Sequence, residues 1–441
     1  MQAEISRKAY GSVCPIGTRA SSPRIYPGVS KPVRNLSPGG AAAASEPVIS
    51  VAPSGLSNHC YLQPQTEAWG YLPSSLRGSF LALIFLHFLT TLCAESRDWP
   101  QFRGNPNLTG VAEAMPEKVS QLWEYEAADA IESSAAIVGD KVYIGSLDGI
   151  LHCIDLKTGK AIWKTKIKDA GFKASPGFKD GKLYVGDDFG KFYAFNASDG
   201  KEIWNFETEG EIISSANFQG DSVLFGSYDA FLYCLNEKDG KLRWKLESDG
   251  RVHATPAIAG DKTFIAGCDG MLRVIDVKEG KEVGKVELGA YSGCSPALEG
   301  SRAYVGTFGN SVLGIDWKAS KKIWEFADEE NGSPFMSSAA VAQGKVVIGG
   351  RDKRIHCFEA KSGKILWQFR TKGRVESSPV IAGDHVWCGS EDGNLYRINL
   401  NTGKEIWRFE SGAPITASPS IAHGKLIIGN GDGVIYCFGA K

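Results

Sequence analysis

A tryptophan recurs through most of this chain at a nearly constant interval, and that period restricts the possible folds more than any other feature. The successive intervals are 40, 41, 40, 80, 43 and 40 residues, and Gly284 occupies the middle of the doubled gap. Such a period indicates one supersecondary unit that is repeated and stacked, because a unit of about forty residues cannot bury its apolar face alone. The recurring residues, which we interpret as structural anchors, are Trp123, Trp163, Trp204, Trp244, Trp324, Trp367 and Trp407.

A turn that contains glycine precedes most of these anchor positions. Glycine adopts the positive φ that a tight hairpin requires. One unit departs from the pattern and reads Ala319-Ser320-Lys321, without glycine. The turn glycines are Gly159, Gly200, Gly240, Gly280, Gly363 and Gly403.

Each unit contains four short segments with the pattern of β-strands. In the first unit they cover residues 133–138, 141–145, 150–155 and 160–166, and turn residues separate them. No segment shows a convincing apolar period of 3.6 over about 11 residues, so we expect almost no helix. Four antiparallel strands per unit, repeated in series, predict an all-β chain that folds as an eight-bladed β-propeller.

The two ends of the repeat region complement each other. The last unit stops after its third strand, near Phe438. An isolated strand at residues 119–126 carries Trp123 in the register of an outer strand. We therefore predict that residues 119–126 supply the fourth strand of the last blade, which closes the ring and removes an exposed sheet edge.

The residues before the repeats have a different composition. Residues 1–75 hold nine of the 19 prolines, and we interpret them as disordered or as an over-long assignment of the reading frame. Residues 76–94 are typical of a signal peptide, since Arg77 precedes a 13-residue apolar stretch, Phe80–Leu92. Bulky Leu92 stands directly before Cys93, so a lipid anchor is not expected. Residues 95–118 form a leader segment, and 119–441 form the propeller.

The composition excludes two classes of partner. The chain has 49 Lys and Arg against 50 Asp and Glu, so no positive field is available for nucleic acid. No apolar run reaches about 18 residues, so no transmembrane span is expected. We expect a periplasmic or secreted monomer whose partner is an envelope or secreted protein, or a small ligand.

The repeat motif also resembles that of a known family. The sequence Ile154-Asp155-x-x-Thr158-Gly159-Lys160-x-x-Trp163 resembles the repeat of the pyrroloquinoline-quinone-like (PQQ-like) propellers. That family includes the quinoprotein dehydrogenases and the outer-membrane assembly protein BamB. The run Trp99-Pro100-Gln101-Phe102-Arg103-Gly104 is similar to the leader of secreted PQQ-like propellers of planctomycete-type bacteria. The resemblance covers residues 99–441 and implies the fold more specifically than the function.

Two features of the quinoprotein alcohol dehydrogenases are missing here. The resemblance implies a pair of adjacent cysteines above the cofactor, but no two cysteines are adjacent in this chain. It also implies an Asp base with Glu and Asn ligands on Ca²⁺, carried by insertions that these regular units do not contain. No C-x-x-C-H motif for haem attachment occurs. We therefore expect no cofactor, no metal and no catalytic residue.

The strongest candidate site is the axial mouth, where the innermost strands begin. Each of these strands opens with a pair of small residues, such as Ser133-Ser134, and the residue before each pair should lie at the rim. The rim positions vary from unit to unit, although the frame repeats, and such variation is typical of functional loops. The candidates for binding a ligand or partner are Glu132, Lys173, Glu211, Arg251, His253, Tyr291, Arg374 and Glu376.

Two functions are compatible with this mouth. The first is a non-catalytic binding or scaffolding propeller that engages a protein partner or small ligand. The alternative is a PQQ-dependent oxidoreductase with Ca²⁺, in which Glu132, Lys173, Arg251 and Arg374 hold the anionic quinone through charge-assisted contacts. An acidic loop at 328–333 is predicted on the same face. Cysteines that share a register, and both third-strand histidines, are interpreted as structural; these residues are Cys153, Cys234, Cys357, Cys437, His152 and His356.

Overall fold

The computed structural model describes residues 98–327 and 332–441, and this part of the chain contains 33 strands and no helix. Residues 1–75 and the predicted signal peptide at 76–94 lie outside the described residues, as does most of the acidic loop at 328–333. Within the described part, no helix could span a bilayer.

The strands form eight four-stranded antiparallel sheets in a ring, so the predicted eight-bladed propeller is confirmed. Two short strands come first: β1 (Val111–Ala112) and β2 (Ser120–Glu126). Blades 1 to 4 consist of β3 (Ala136–Val138), β4 (Lys141–Gly145), β5 (Ile150–Asp155), β6 (Ala161–Lys166); β7 (Gly177–Lys179), β8 (Lys182–Gly186), β9 (Lys191–Asn196), β10 (Glu202–Glu207); β11 (Asn217–Gln219), β12 (Ser222–Gly226), β13 (Phe231–Asn236), β14 (Leu242–Glu247); β15 (Ala257–Ala259), β16 (Lys262–Ala266), β17 (Met271–Asp276) and β18 (Glu282–Glu287).

The second half of the ring repeats the same arrangement. Blades 5 to 8 consist of β19 (Ala297–Glu299), β20 (Arg302–Gly306), β21 (Ser311–Asp316), β22 (Lys321–Ala327); β23 (Ala340–Ala342), β24 (Lys345–Gly350), β25 (Arg354–Glu359), β26 (Ile365–Arg370); β27 (Val380–Ala382), β28 (His385–Gly389), β29 (Asn394–Asn399), β30 (Glu405–Glu410); β31 (Ser420–Ala422), β32 (Lys425–Gly429) and β33 (Val434–Gly439). In each blade the inner and middle strands are largely buried, whereas the outer strand is mostly half-buried or exposed.

The ring closes as the sequence predicts. Strand β2 pairs antiparallel with β33, and Trp123 lies opposite Cys437. A β-bulge at Leu122 shifts the register of this pair by one residue. The same bulge occurs one residue before the anchor in other blades, as at Ile203, which precedes Trp204. A bulge in an outer strand bends and twists the exposed edge, which discourages pairing with another molecule.

The tryptophan anchors join each blade to the next. The indole Nε1 of Trp163 donates to the carbonyl of Ala197 at 3.2 Å, and that of Trp244 donates to Val277 at 2.8 Å. The turn glycine of the next blade lies directly on the ring: a Cβ at Gly200 would come within 2.6 Å of Trp163. The two repeated features are therefore the two halves of one contact between blades.

This contact explains why the two exceptions to the repeat fall in neighbouring units. Gly284 of blade 4 replaces the anchor, and Ser320 of blade 5 replaces the turn glycine that would lie on it. A Cβ at Gly284 would stand 3.5 Å from the Ser320 hydroxyl, so no ring separates strand β18 from the turn of blade 5. Blade 5 instead contributes Trp317, whose ring packs against Phe264 with 5.0 Å between centroids.

The aligned small residues at the starts of the inner strands form a second link between blades. In seven places a backbone N–H donates to the hydroxyl of the next blade at 2.9–3.0 Å. These hydroxyl-bearing residues, which we call the hydroxyl ring, are Ser134, Ser175, Ser215, Thr255, Ser295, Ser338, Ser378 and Ser418. Small side chains therefore do more than allow crowding at the axis, because they also connect the inner strands.

The cysteines of the third strands are buried, as predicted, and His152 and His356 of the same strands are buried too. Cys153, Cys234, Cys357 and Cys437 are free thiols in the blade cores. His152 lies between the Tyr125 hydroxyl and the Ser146 hydroxyl, each 3.0 Å away, and burial lowers its pKa to about 4. It is therefore neutral at pH 7.

The leader makes a circuit around the propeller axis. Its residues 98–113, which we call the strap, contact the inner strand or the adjoining turn of every blade, from the Trp99–Ile137 bridge in blade 1 to Gly424 in blade 8. Strand β1 lies at the end of this circuit and pairs parallel with β27 of blade 7. The sequence predicted a leader but gave it no place in the fold.

Candidate functional site

The propeller axis holds a cavity of about 160 Å³, which we call the axial well. Its walls have two layers, because residues two apart on each inner strand both face the axis. The hydroxyl ring forms the deeper layer, and Phe102 of the strap also contacts the well. The outer layer consists of Glu132, Lys173, Ile213, His253, Gly293, Met336 and Glu376.

Four of the eight predicted site residues line the axial well: Glu132, Lys173, His253 and Glu376. The other four do not line it. Glu211 reaches Lys173, with 3.7 Å between carboxylate and ammonium, so the structure brings these two predicted residues together.

The remaining three predicted residues stand farther out. Arg251 lies over the ring of Tyr228, with 5.0 Å from its guanidinium carbon to the ring centroid. Tyr291 is 41% exposed, and Arg374 is exposed. The residues two positions before the rim therefore form an outer belt around the mouth and do not line the well.

Tyr228 is a mouth residue that the sequence analysis missed. Its hydroxyl lies 2.7 Å from Nδ1 of His253, and the guanidinium of Arg251 packs over its ring in a cation–π contact. Burial and the nearby ammonium of Lys173 lower the pKa of His253 to about 4, so this histidine is neutral at pH 7. Burial raises the pKa of the Tyr228 phenol, which therefore keeps its proton and donates it. Tyr228 occupies the turn after β12, a position with no obvious relation to the rim in the sequence.

Arg351 was also missed. Its Nε and Nη2 contact Oε1 of Glu376 at 2.7 and 2.6 Å, so the carboxylate at the well is charge-compensated. Arg351 lies in the turn after β24, and its guanidinium contacts Glu376 in the rim loop that leads to blade 7. A repeat count places Tyr228 and Arg351 at the same position of their blades, two residues after Gly226 and Gly349, but it does not show that they contact the rim.

The loop after β8 adds an acidic and an aromatic group to the same face. Asp188 accepts a hydrogen bond from the N–H of Gly171 at 2.7 Å, and burial raises the pKa of its carboxyl. Its charge interacts with those of Lys173 and Glu211, which places this loop beside the mouth. The adjacent Phe189 is 70% exposed. Exposed Phe, Tyr and Arg side chains therefore surround a polar well.

A model of the family described as outer membrane protein assembly factor BamB matches four overlapping stretches, residues 110–173, 147–223, 213–333 and 321–440. The chain belongs to this family of PQQ-like repeat propellers. Among curated proteins, a BamB from Xanthomonas campestris is 30% identical over 112 residues, and quinohemoprotein alcohol dehydrogenase ADH IIB from Pseudomonas putida is 33% identical over 109 residues. The alignments span 28% and 16% of those relatives, and 22% and 20% of this chain.

Solved structures show the same BamB-type fold. The propeller resembles BamB from Moraxella catarrhalis with a TM-score of 0.63 and 19% identity, over 74% of this chain and 98% of the other. It resembles quinohemoprotein alcohol dehydrogenase from Comamonas testosteroni with a TM-score of 0.70 and 13% identity, over 80% and 82%. Sequence and structure therefore relate this propeller both to an assembly factor and to enzymes.

The residues at the axis of this BamB-type propeller fit a quinone with Ca²⁺ poorly. Pockets for cofactors are typically about 300–1,000 Å³, whereas the axial well measures about 160 Å³. In the described ranges, no three His, Cys, Asp or Glu side chains come together as metal ligands. Arg251 and Arg374, which the alternative assigns to the quinone, stand outside the well. The outer belt would have to move inward to hold such a group.

Proposed function

We propose that this chain is an extracytoplasmic binding or scaffolding propeller that engages a protein partner or small ligand at its axial mouth and makes or breaks no bond. The observation that carries the proposal is the outer belt, in which Tyr291 and Arg374 are exposed and Arg251 is half-buried, together with exposed Phe189 on the same face. Arginine and large aromatic residues contribute most of the binding energy in protein interfaces.

The distribution of charge around the axial mouth supports a protein partner more than a highly charged small ligand. Lys173 is paired with Glu211, and Glu376 with Arg351, so both signs are present and partly compensated. Such a mixed rim favours specificity and orientation over bulk attraction. Membership in the family described as an outer membrane assembly factor supports the same function and an envelope location.

The test is a pull-down from an envelope extract with the purified protein. The double variant Arg251→Ala with Arg374→Ala, and separately Phe189→Ala, should each lose the partner that the wild-type protein retains. The matched control is Lys157→Ala with Lys361→Ala, because both are exposed cations in turns between the third and fourth strands, at the ends of the blades opposite the mouth. An unchanged set of partners in the mouth variants, with thermal unfolding like that of the wild type, would overturn the site assignment.

The alternative function, a PQQ-dependent oxidoreductase, is favoured by the alcohol dehydrogenases among the relatives. The purified protein should be titrated with PQQ and Ca²⁺ and then assayed for dye-coupled oxidation of alcohols. Micromolar binding with turnover would replace the binding proposal by the enzymatic one. We expect neither binding nor turnover, because the axial well is small and its carboxylate Glu376 is already paired.

A further inference from the structure

The strap (residues 98–113) contacts all eight blades, although it belongs to none of the eight repeats. Six blades form hydrogen bonds between their own backbone and the backbone of the strap. Trp99 exchanges two hydrogen bonds of 2.8 Å with Ile137 of blade 1. Carbonyls of the strap then accept the N–H of the middle residue in five other inner strands at 2.7–2.9 Å. Those donors are Phe178, Ile258, Leu298, Val341 and Ile381.

The two other blades bond to the strap through side chains. In blade 3, Asn217 accepts from the Gln101 amide at 3.0 Å and donates to the Pro106 carbonyl at 2.8 Å. In blade 8, Gly424 donates its N–H to the Glu113 carboxylate at 2.7 Å. Nε2 of the preceding His423 lies 2.8 Å from Asp98, the first described residue of the strap. Both ends of the strap therefore meet at blade 8, and the segment makes one full circuit.

Arg103 is the central anchor of the strap. Its guanidinium donates to the carbonyls of Ala339, Ser378 and Pro379 at 3.0, 3.2 and 2.6 Å, between blades 6 and 7. The side chain is 1% exposed, and among residues 98–327 and 332–441 no carboxylate pairs with it. Carbonyl groups alone compensate the charge, so the site discriminates strongly for a planar cation with several donors.

The strap binds in the manner of a peptide ligand. The inner strands present an edge of unpaired N–H groups toward the axis, and an added backbone satisfies them, as in peptide recognition by strand addition. Side-chain pockets for Trp99 and Arg103 then fix the register. Short turns, from Gln101 to Gly104 and from Asn105 to Leu108, bend the segment to follow the ring.

We propose that the inner face of the ring, on the side of the strap, is a peptide-binding site that this chain fills with its own residues 98–113. The ligand that it takes is a short peptide with a tryptophan and, four residues later, an arginine in a turn. The strap is then a tethered ligand: it seals one end of the axial channel, leaves the axial mouth as the way into the well, and is separable from the blades.

The test cuts the folded full-length protein between strap and ring. A recognition sequence for a specific protease is inserted between Glu117 and Lys118, which are both exposed. After cleavage, the amino-terminal fragment should remain bound in gel filtration and native mass spectrometry. A fluorescent synthetic peptide of residues 98–117 should exchange with it slowly.

Variants of the strap measure its specificity. Arg103→Ala should speed release of the fragment by about 100-fold or more, because three charge-assisted hydrogen bonds are lost. Gln101→Ala loses one neutral hydrogen bond and should speed release of the fragment by about 10-fold. This variant replaces Arg103→Ala in the test if Arg103→Ala does not fold. Arg370→Ala, at an exposed arginine of an outer strand, is the matched control and should leave the release rate unchanged.

Three outcomes would overturn the proposal. One is immediate loss of the fragment from a ring that stays folded, since the segment would then have no affinity of its own. The second is unfolding of the ring on cleavage, because a binding site must outlast its ligand. The third is equal release rates for Arg103→Ala and Arg370→Ala.

Discussion

The two ends of the axial channel are built on the same eight strands but differ in what they present. At the strap end, backbone groups of seven blades and the Asn217 side chain of blade 3 are paired with one continuous segment, and the central side chain, Arg103, is 1% exposed. At the axial mouth, the equivalent positions carry side chains of different charge and size, and the outer belt is half-buried at Arg251 and exposed at Tyr291 and Arg374. The strap end is closed mainly by backbone N–H and C=O groups. The axial mouth is lined by side chains that differ from blade to blade.

This difference separates stability from recognition within one fold. A ring of backbone hydrogen bonds tolerates many sequences but loses much when its geometry is disturbed. Exposed rim residues cost little to replace, and loops of this kind are where repeat proteins vary their binding. Changes at the strap end should therefore affect unfolding, and changes at the mouth should affect binding.

The largest effect is expected at Gly110. This residue has φ of 64°, and a Cβ there would come within 1.8 Å of the Arg103 guanidinium. Gly110→Ala should lower the free energy of unfolding by about 4 kcal/mol, the typical cost of disturbing a buried charge. Gly181→Ala is the control, because Gly181 has φ of 75° but open space around its Cβ position. It should cost about 1 kcal/mol, as measured by denaturant unfolding; equal losses would disprove the close-contact argument.

An acid-dependent loss of stability should follow from the two neutral histidines. The pKa of His253 at the mouth is about 4 in the folded chain, below its value of about 6.5 when unfolded. Between these values the unfolded state binds a proton that the folded state does not, so stability falls as the pH is lowered. The slope reaches about 1.4 kcal/mol per pH unit for each such histidine.

His253→Gln should remove the contribution of one histidine from this pH dependence. His152→Gln should remove the contribution of His152 to the pH dependence of stability, because the pKa of His152 in the folded chain is also about 4. Urea unfolding between pH 7 and pH 4.5 measures the slopes. A slope in the His253→Gln protein equal to that of the wild type would contradict a buried, neutral ring at the mouth.

A smaller effect is expected for the pair between Arg351 and Glu376. Both side chains are about a quarter exposed or less, at 21% and 25%. Arg351→Ala should reduce stability by about 1 kcal/mol, because partly exposed ion pairs contribute little. A double-mutant cycle with Glu376→Ala isolates their coupling. Independent effects of the two substitutions would indicate that the pair is not formed in solution.

The smallest effect on stability is expected for Arg374→Ala. The side chain is exposed, so its loss should change the free energy of unfolding by less than about 0.5 kcal/mol, while partner binding should fall. A destabilisation as large as that of Gly110→Ala would contradict the assignment of stability to the strap end and of binding to the mouth. Thermal unfolding and the pull-down, run on the same preparation, decide this.

The repeat allowed most of the fold to be predicted from the sequence. The period of the tryptophans and the turn glycines set the number of blades, and the missing last strand predicted the closure by β2. The contact between Trp163 and Gly200 shows why these two signals occur together. The aligned small residues located the axis, so four rim residues were placed correctly at the well.

The strap and part of the mouth could not be predicted for physical reasons. The strap bonds mostly through backbone atoms, which leave no pattern in the side chains. Arg103 has no charged partner that a sequence could reveal. Tyr228 and Arg351 reach the rim from turns, and their contacts depend on distances between blades. Arg251 and Arg374 lie outside the well, and the sequence could not show this, because a repeat sets the register of a residue but not the direction in which a loop carries its side chain.

The most direct test of this division is photo-crosslinking in cells with one probe at each end. A benzophenone amino acid replaces exposed Tyr291 at the mouth in one variant and exposed Pro106 of the strap in another. We expect a covalent adduct with a protein partner from position 291 and none from position 106. An adduct of equal yield from position 106, or no adduct from position 291 at the same expression level, would contradict the account.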